Sequence, residues 1–364
     1  MQSTIAALRS RVLSLGSSAA NGKNIVAFSG GVDSSLVAAL VYQAFGKTSQ
    51  ACVGVSSALP AAQLHLARSV ARHIGIPLVE VPTTEGSDPD YIANEGQSCF
   101  HCKTHLYSAL EAVAAQAGVA SRGSDSRLSA AGVFKGDGDG AGVATAAAAA
   151  GGGGEDSMGC RVRRKVVLFN GTNKDDKKDK TRVGLKAAAD FQVASPIDML
   201  TKAEVRAVSR ELGLPNWNHA ASPCLRSRLA FGVEATPERL VVVEKAEDAV
   251  RRRLGLGVSH NLRVRAMHGN KALLEVDTGH VLDEAVRSIE ELRSLILPLG
   301  FDEVDVRAFR SGGVSGGVTT STAPPLEQIA KDMGGVVLEA GGQGGADIYR
   351  VEGTATRAGK PRGA

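Results

Sequence analysis

Between Ile5 and Val81 apolar residues recur with two alternating periods. Ile5, Leu8, Val12 and Leu15 fall at helical spacing, and the short run Ile25-Val26-Ala27-Phe28 is β-leaning. Helical spacing returns at Leu36, Val37, Leu40 and Val41, followed by a strand-like run from Ala51 to Val55, a helical pattern from Leu64 to Ile74, and a third run from Pro77 to Val81. This alternation predicts an α/β fold, a parallel sheet with helices on both faces, whose ligands bind beyond the carboxyl ends of the strands.

The pattern then lapses. From Gly118 to Gly159 the chain is Gly, Ala, Ser and Asp, including Ala146 to Ala150 and Gly151 to Gly154, which predicts a disordered insertion without core-forming capacity. Order resumes with the strand Val166 to Phe169 and the polar string Asn170 to Asp176. A helix is expected over Lys202 to Leu212, stopped by Pro215, and Ser222 to Arg228 reads as a linker. From Thr236 the pattern becomes a charged helix, strands at Leu262 to Ala266 and Ala272 to Val276, a helix through Leu297, and a strand near Val304 to Val306. That is a compact α+β unit of its own. The expected division is residues 1–232, with the insertion at 118–159, then 233–312, then a mostly disordered tail at 313–364 in which Gly334 to Leu338 is a candidate strand.

Composition narrows the class. With 364 residues and 43% hydrophobic content the chain can fill two cores, and a net charge of +4 is too small to argue for nucleic acid. The basic clusters Arg161 to Lys165 and Arg251 to Arg253 read as solvated faces. No apolar stretch reaches membrane-spanning length, so a soluble protein is expected. Residues 1–32 carry Arg9, Arg11 and Lys23 but no acid, a faint likeness to a transit peptide, yet the amphipathic pattern leading into the first strand favours an ordinary N-terminal helix. Five cysteines are too few for a secreted disulfide scaffold, and cytosolic or organelle-matrix conditions fit better.

The first strand ends in Ser29-Gly30-Gly31-Val32-Asp33-Ser34-Ser35. Glycines at 30 and 31 permit positive φ and close approach, and Ser29, Ser34 and Ser35 place hydroxyls beside helix N-terminal amides, a cradle for phosphate. Asp33 would repel a bare phosphate, which implies either a divalent ion between them or simple helix-terminus charge stabilisation; the metal is preferred. The string is neither a Walker A loop nor the dinucleotide fingerprint, which needs a third glycine. Cys52, in an apolar strand, reads as core, and Cys160 as incidental to the insertion. Cys99 and Cys102 form a C-x-x-C pair, which alone fits a redox pair, half a zinc site or chance. Cys224 lies between Pro223 and the arginines Arg226 and Arg228, which should favour its thiolate. His101 and His105 flank the pair, as alternative ligands or as plain surface residues. Arg263 and Arg265 share one strand face, suited to a phosphate or carboxylate or else simply solvated.

SGGVDSS at 29–35 resembles the signature of the PP-loop ATP pyrophosphatases, with the adenine nucleotide alpha hydrolase-like fold: a doubly wound parallel sheet with a smaller C-terminal α+β domain. CFHCKTHLY at 99–107, NGTNKDD at 170–176, Arg182-Val183-Gly184, SPI at 195–197 and PCLRSR at 223–228 narrow the likeness to the LarE family of ATP-dependent sulfur transferases, which make the nickel-pincer nucleotide. The resemblance covers residues 5–116 and 165–312. It implies that Ser29, Gly30, Gly31, Asp33, Ser34 and Ser35 hold ATP phosphates and Mg2+, that Asn170, Thr172, Asp176 and Arg182 line the nucleotide pocket, and that a carboxylate of a pyridinium dicarboxylate mononucleotide is adenylated. Sulfur comes either from Cys224 itself, consumed to dehydroalanine, or from a [4Fe-4S] cluster on Cys99, Cys102 and Cys224. The three cysteines favour the cluster branch. Arg226, Arg228, Arg263 and Arg265 would bind substrate, with Glu247 as a candidate metal ligand, and the family's Gly-Tyr-Arg-x-Gly ending is replaced here by Ala308 to Gly312. The expected partner is the small-molecule nucleotide, with no nucleic acid and no membrane, and the expected assembly is a cytoplasmic homo-oligomer. tRNA thiolation and amide-forming PP-loop enzymes are the alternatives; low charge, no RNA-binding module and no glutaminase nucleophile weigh against them.

Overall fold

The computed structural model describes residues 1–19, 21–119, 165–179, 182–221, 223–310, 338–340 and 349–351. Its first sheet is built from β1 (Lys23–Ala27), β2 (Ser49–Val55), β3 (Leu78–Pro82) and β4 (Val166–Phe169), all paired in parallel in the order β3-β2-β1-β4. Alternation along β1 splits two cores. Val26 packs with Leu8, Val12, Leu36, Val37, Leu40, Ala67 and Val205, while Ile25 packs with Cys52, Tyr107, Leu110 and Ala187. Helices α1 (Gln2–Leu15), α2 (Val32–Phe45), α3 (Ala61–Ile74) and α8 (Lys202–Glu211) therefore cover one face. Helices α5 (Ser98–Val119) and α7 (Gly184–Asp190) cover the other. The short helices α4 (Pro89–Ala93) and α6 (Lys174–Lys178) sit at the strand-end edge. Strand order reverses between β1 and β4, so the loops leaving those strands diverge and open a crevice.

The second sheet holds β5 (Leu262–Met267), β6 (Lys271–Val276), β7 (Glu303–Ala308), β8 (Leu338–Ala340) and β9 (Tyr349–Val351) in the order β5-β6-β7-β9-β8, parallel between β6 and β7 and antiparallel elsewhere. Helices α9 (Pro237–Arg253), α10 (His280–Arg287) and α11 (Ile289–Ile296) pack onto it through Leu240, Val243, Ala285, Leu292 and Ile296. Between the sheets, Leu225, Leu229 and Ala235 enter this second core. The Leu225 N–H donates to Ala58 O, just past β2, at 2.8 Å, and Leu229 bridges to Ala266 of β5. One stretch thus ties the strand-end edge of the parallel sheet to the smaller domain.

Several expectations need correction. Leu15 is exposed although Ile5, Leu8 and Val12 are buried. The helix expected through Leu297 is two, broken at Ser288, whose hydroxyl bonds back to Glu284. Gly118 belongs to α5, and the rest of the expected insertion, with Cys160, lies outside the described residues. In the tail the strand is Leu338–Ala340 rather than 334–338, and Tyr349–Val351 joins it; the remainder of the tail lies outside the described residues. Among the described residues no helix is long and apolar enough to cross a membrane.

Candidate active site

Gly30 sits at φ +70°, and a Cβ there would stand 2.7 Å from Ala67 Cα of α3, so the position excludes side chains on both counts. Its carbonyl accepts from Asn216 Nδ2 at 2.7 Å. Ser34 Oγ donates to Gly31 O at 3.0 Å and lies 3.1 Å from Ser29 Oγ, which pins the turn while Gly31 caps α2. The first-turn amides of α2 have no partner within the helix and form the anion-binding end of the crevice. Ser35 departs from expectation. It is fully buried and receives Asn216 Nδ2 at 3.0 Å, so it braces the loop from within instead of offering its hydroxyl to phosphate.

Across the crevice, Asn170 is buried, and its Oδ1 accepts from Thr172 N–H at 3.1 Å and Ser195 Oγ at 2.7 Å. Asn173 and Asp176 form a capping box on α6, and Asn173 Nδ2 also reaches Asp33 Oδ1 at 3.1 Å. Lys202 pairs with the other Asp33 oxygen, and Arg182 with Asp176 at 2.9 Å. Burial raises the Asp176 carboxyl above its ordinary value, and the nearby charge of Asp33 pushes the same way against Asn173 N–H, Arg182 and Lys202. Two acids therefore approach each other at the switch point under a guard of cations, an oxygen donor set that suits Mg2+. Asn173, Lys202 and Asn216 escaped sequence reasoning. Lys202 follows the Thr201/Glu204 capping box, which is readable as a helix start, but nothing local discloses its reach to Asp33.

Gly171 is where the two loops touch. A Cβ there would lie 2.7 Å from Ser34 N and 2.8 Å from Asp33 C. Gly171→Ala must therefore part the loops, and a displacement of that size is expected to lower ATP-dependent pyrophosphate release about 10²-fold. Steady-state pyrophosphate assays check this, and near wild-type turnover would show that the crevice is not the nucleotide site.

At the ends of β2 and β3 lies a second polar pocket. Cys99 and Cys102 occupy the first turns of α5, and Cys224 comes from the inter-sheet segment; Cys52, Cys99, Cys102 and Cys224 are all free thiols, with Cys52 buried in the core as expected. Arg226 holds Asn94 Oδ1 at 2.9 Å with one nitrogen and contacts Cys99 Sγ with another. Cys102 Sγ lies 4.0 Å from Glu85 Oε1, which also accepts from Ser56 Oγ at 2.6 Å. Burial pushes the Cys102 thiol up to about 12, with Cys224, Glu85 and Cys99 adding to the rise and Lys103 opposing it. Cys102 is thus a thiol at neutral pH, and any metal bound there must displace its proton.

Glu85 Oε2 and Tyr91 Oη are buried without a partner beside these thiols, and burial with the charges of Cys224, Cys102 and Glu85 raises the Tyr91 phenol. Orphaned polar atoms of this kind call for an occupant. Among the described residues, the His, Cys, Asp and Glu ligand atoms that gather within 4.8 Å are those of Asp88, Asp90 and His101, so the three thiols stand wider. Ligands of one zinc at about 2.3 Å from each sulfur would be about 3.8 Å apart. Three thiols spread around a pocket with unsatisfied polar walls fit an iron-sulfur cluster better.

Two expectations about the arginines are corrected. Arg228 does not face the Cys224 thiol. It is 2% exposed, forms a two-pronged pair with Glu247 at 2.8 and 3.0 Å, and holds the Cys224 carbonyl at 3.1 Å, so it clamps the main chain. Glu247 also accepts from Val264 N–H at 3.1 Å; both its oxygens are committed, and it acts as a counter-ion rather than a metal ligand. Arg263 and Arg265 are buried, not solvated. Arg265 pairs with Glu275 at 2.7 Å, and Arg307 takes the other Glu275 oxygen. Arg263 bonds only to carbonyls of Leu262 and Ala221 and lies over Phe309 at 5.4 Å. Burial, then the repulsion of Arg228 and Arg265, brings its guanidinium down to about 10. Four arginines around two carboxylates leave a positive surplus centred on Arg263, beside the Cys224 segment.

Comparison with known proteins agrees with this geometry. The NAD synthase family model matches residues 2–89, which carry β1, the phosphate loop, β2 and β3. An uncharacterized protein of Synechocystis sp., slr1717, is 30% identical over 298 residues, covering 79% of this chain and 90% of its own. The pyridinium-3,5-bisthiocarboxylic acid mononucleotide synthase of Lactiplantibacillus plantarum is 28% identical over 300 residues, covering 81% of this chain and 89% of its own. With the phosphate loop at the switch point of a parallel sheet, a mixed-sheet second domain and this breadth of similarity, the chain belongs to the LarE family of PP-loop enzymes.

Proposed function

We propose that this protein is an ATP-dependent sulfur transferase that converts a carboxylate of a pyridinium dicarboxylate mononucleotide to a thiocarboxylate. The observation that carries the reading is the placement of Cys99, Cys102 and Cys224 at the same strand-end edge as the phosphate loop, with Cys224 tethered there through the Leu225 bond to Ala58. The substrate carboxylate attacks the α-phosphorus of ATP, pyrophosphate leaves, and an acyl-adenylate forms. Ser29, Gly31 and the α2 amides hold the phosphates, while Lys202 and Arg182 supply positive charge where pyrophosphate departs. Asp33 and Asp176 would hold Mg2+, which neutralises the phosphate oxygens. Arg263 and Arg226 offer cationic contacts for the substrate's phosphate or second carboxylate, and Arg228 and Arg265 hold the segment that presents them.

Cys99, Cys102 and Cys224 would hold a [4Fe-4S] cluster, which supplies sulfide on the iron without a protein ligand. Sulfur attack on the acyl carbon expels AMP and leaves the thiocarboxylate. The single-use route differs only in its donor: the Cys224 thiolate forms a thioester, and loss of the Cα proton with cleavage of the Cβ–S bond leaves dehydroalanine. The protein acts on this reading as a cytoplasmic homo-oligomer. Incubation of anaerobically purified protein with ATP and the dicarboxylated mononucleotide is expected to yield AMP, pyrophosphate and a product in which sulfur replaces oxygen. Iron and acid-labile sulfide accompany the cluster route, and a Cys224 lighter by one sulfur marks the single-use route. Pyrophosphate release without any sulfur-containing product overturns the proposal.

A further inference from the structure

His101 and His105 stand one turn apart on α5 and turn toward Asp88, away from the thiols, whose partners are Glu85 and Arg226. His101 Nδ1 lies 3.0 Å and His105 Nε2 3.1 Å from the same oxygen, Asp88 Oδ2. The other oxygen, Oδ1, is committed to capping α4 through the N–H groups of Asp90 and Tyr91, which fixes the carboxylate in place. Thr84 Oγ1 lies 3.1 Å from His105 Nδ1, so the ring is held from behind with Nε2 presented forward, the outer-shell arrangement that orients metal-bound imidazoles. The Asp90 carboxylate gathers within 4.8 Å of Asp88 and His101. All three primary side chains are partly screened, at 24%, 31% and 18% exposure for His101, His105 and Asp88, which leaves one open side for entry of an ion.

We propose that His101 Nδ1, His105 Nε2 and Asp88 Oδ2 form a binding site for a divalent cation of the zinc type, with Asp90 or water completing the shell. Ligands of a tetrahedral ion at about 2.0–2.1 Å stand about 3.3 Å apart, so the observed separations of 3.0 and 3.1 Å need to open only slightly. Two imidazoles with carboxylate oxygen suit zinc, cobalt or nickel, whereas magnesium and calcium favour an all-oxygen shell. To ligate, each histidine carries its proton on the far nitrogen; for His105 that nitrogen is Nδ1, where Thr84 accepts it. The ion would lock α4 against the turn of α5 that carries Cys99 and Cys102. The site is independent of the sulfur chemistry, since none of its ligands serves there.

The test is a Co2+ titration of chelator-treated protein carrying Cys99→Ser, Cys102→Ser and Cys224→Ser. One equivalent per chain is expected, with weak visible bands and no sulfur-to-cobalt charge-transfer band. His101→Gln and His105→Gln, added singly, should abolish these bands while circular dichroism stays unchanged, because glutamine keeps a hydrogen bond to Asp88. No cobalt spectrum, or one that persists in both glutamine variants, overturns the site. Should the triple serine background not fold, zinc content of the otherwise wild-type chain decides: the glutamine variants should each bind one equivalent less than the parent, and equal zinc in all three overturns the site.

Discussion

Replacing Cys224 with serine is expected to leave ATP-dependent pyrophosphate release within about threefold of wild type while cutting thiocarboxylate formation about 10³-fold or more. The two effects separate because the groups are on different elements. Adenylation depends on the crevice between β1 and β4, where Asp33, Asp176 and Lys202 gather, and Cys224 lies on the segment docked beyond β2. Serine is nearly the same shape, and the local main chain is held independently of the thiol by Arg228 and Ser227 Oγ on the Cys224 carbonyl. Parallel measurement of pyrophosphate and of product mass gives the ratio directly. A matched loss of both would place the thiol in the nucleotide site and defeat the proposed division of labour.

Glu275→Ala is expected to destabilise the smaller domain by about 3–5 kcal/mol, because it strands two buried guanidiniums. Glu275 is fully buried, and its oxygens are divided between Arg265 and Arg307, both nearly buried themselves. Taking an ion pair out of water costs energy that only close pairing offsets, so removing the shared acid leaves the cost without the compensation. Replacing Arg265, Glu275 and Arg307 together with apolar residues should cost far less, since no lone charge remains. Urea unfolding of the single and triple variants compares the two. A loss below about 1 kcal/mol for Glu275→Ala would mean that water reaches the cluster and pays the solvation itself.

Much of the candidate site was legible because its chemistry is local. A strand that breaks into Ser29-Gly30-Gly31 before an apolar helix encodes its own turn, since glycine alone tolerates φ +70° against Ala67. The C-x-x-C spacing puts Cys99 and Cys102 on adjacent turns of one helix whatever the rest of the chain does. Periodicity likewise sorts Ile25 and Val26 to opposite faces of β1. What stayed hidden is which partner each polar group chooses. Arg226 and Arg228, two positions apart, part ways, one to Cys99 and one to Glu247. His101 and His105, which flank the thiols in the chain, face Asp88 instead.

The sequence by itself therefore determined the succession of strands and helices, the phosphate loop and the supply of thiols, because hydrophobic period, glycine conformational freedom and residue chemistry act over a few neighbouring positions. Only the tertiary structure decided that Ser35 turns inward to Asn216, that Lys202 and Asn173 meet Asp33, that Glu247 is spent on Arg228, and that Arg263 is left as the surplus cation. The physical reason is that a buried charge or polar group must find a partner wherever the packing of distant segments brings one within about 3 Å. No local period records that distance.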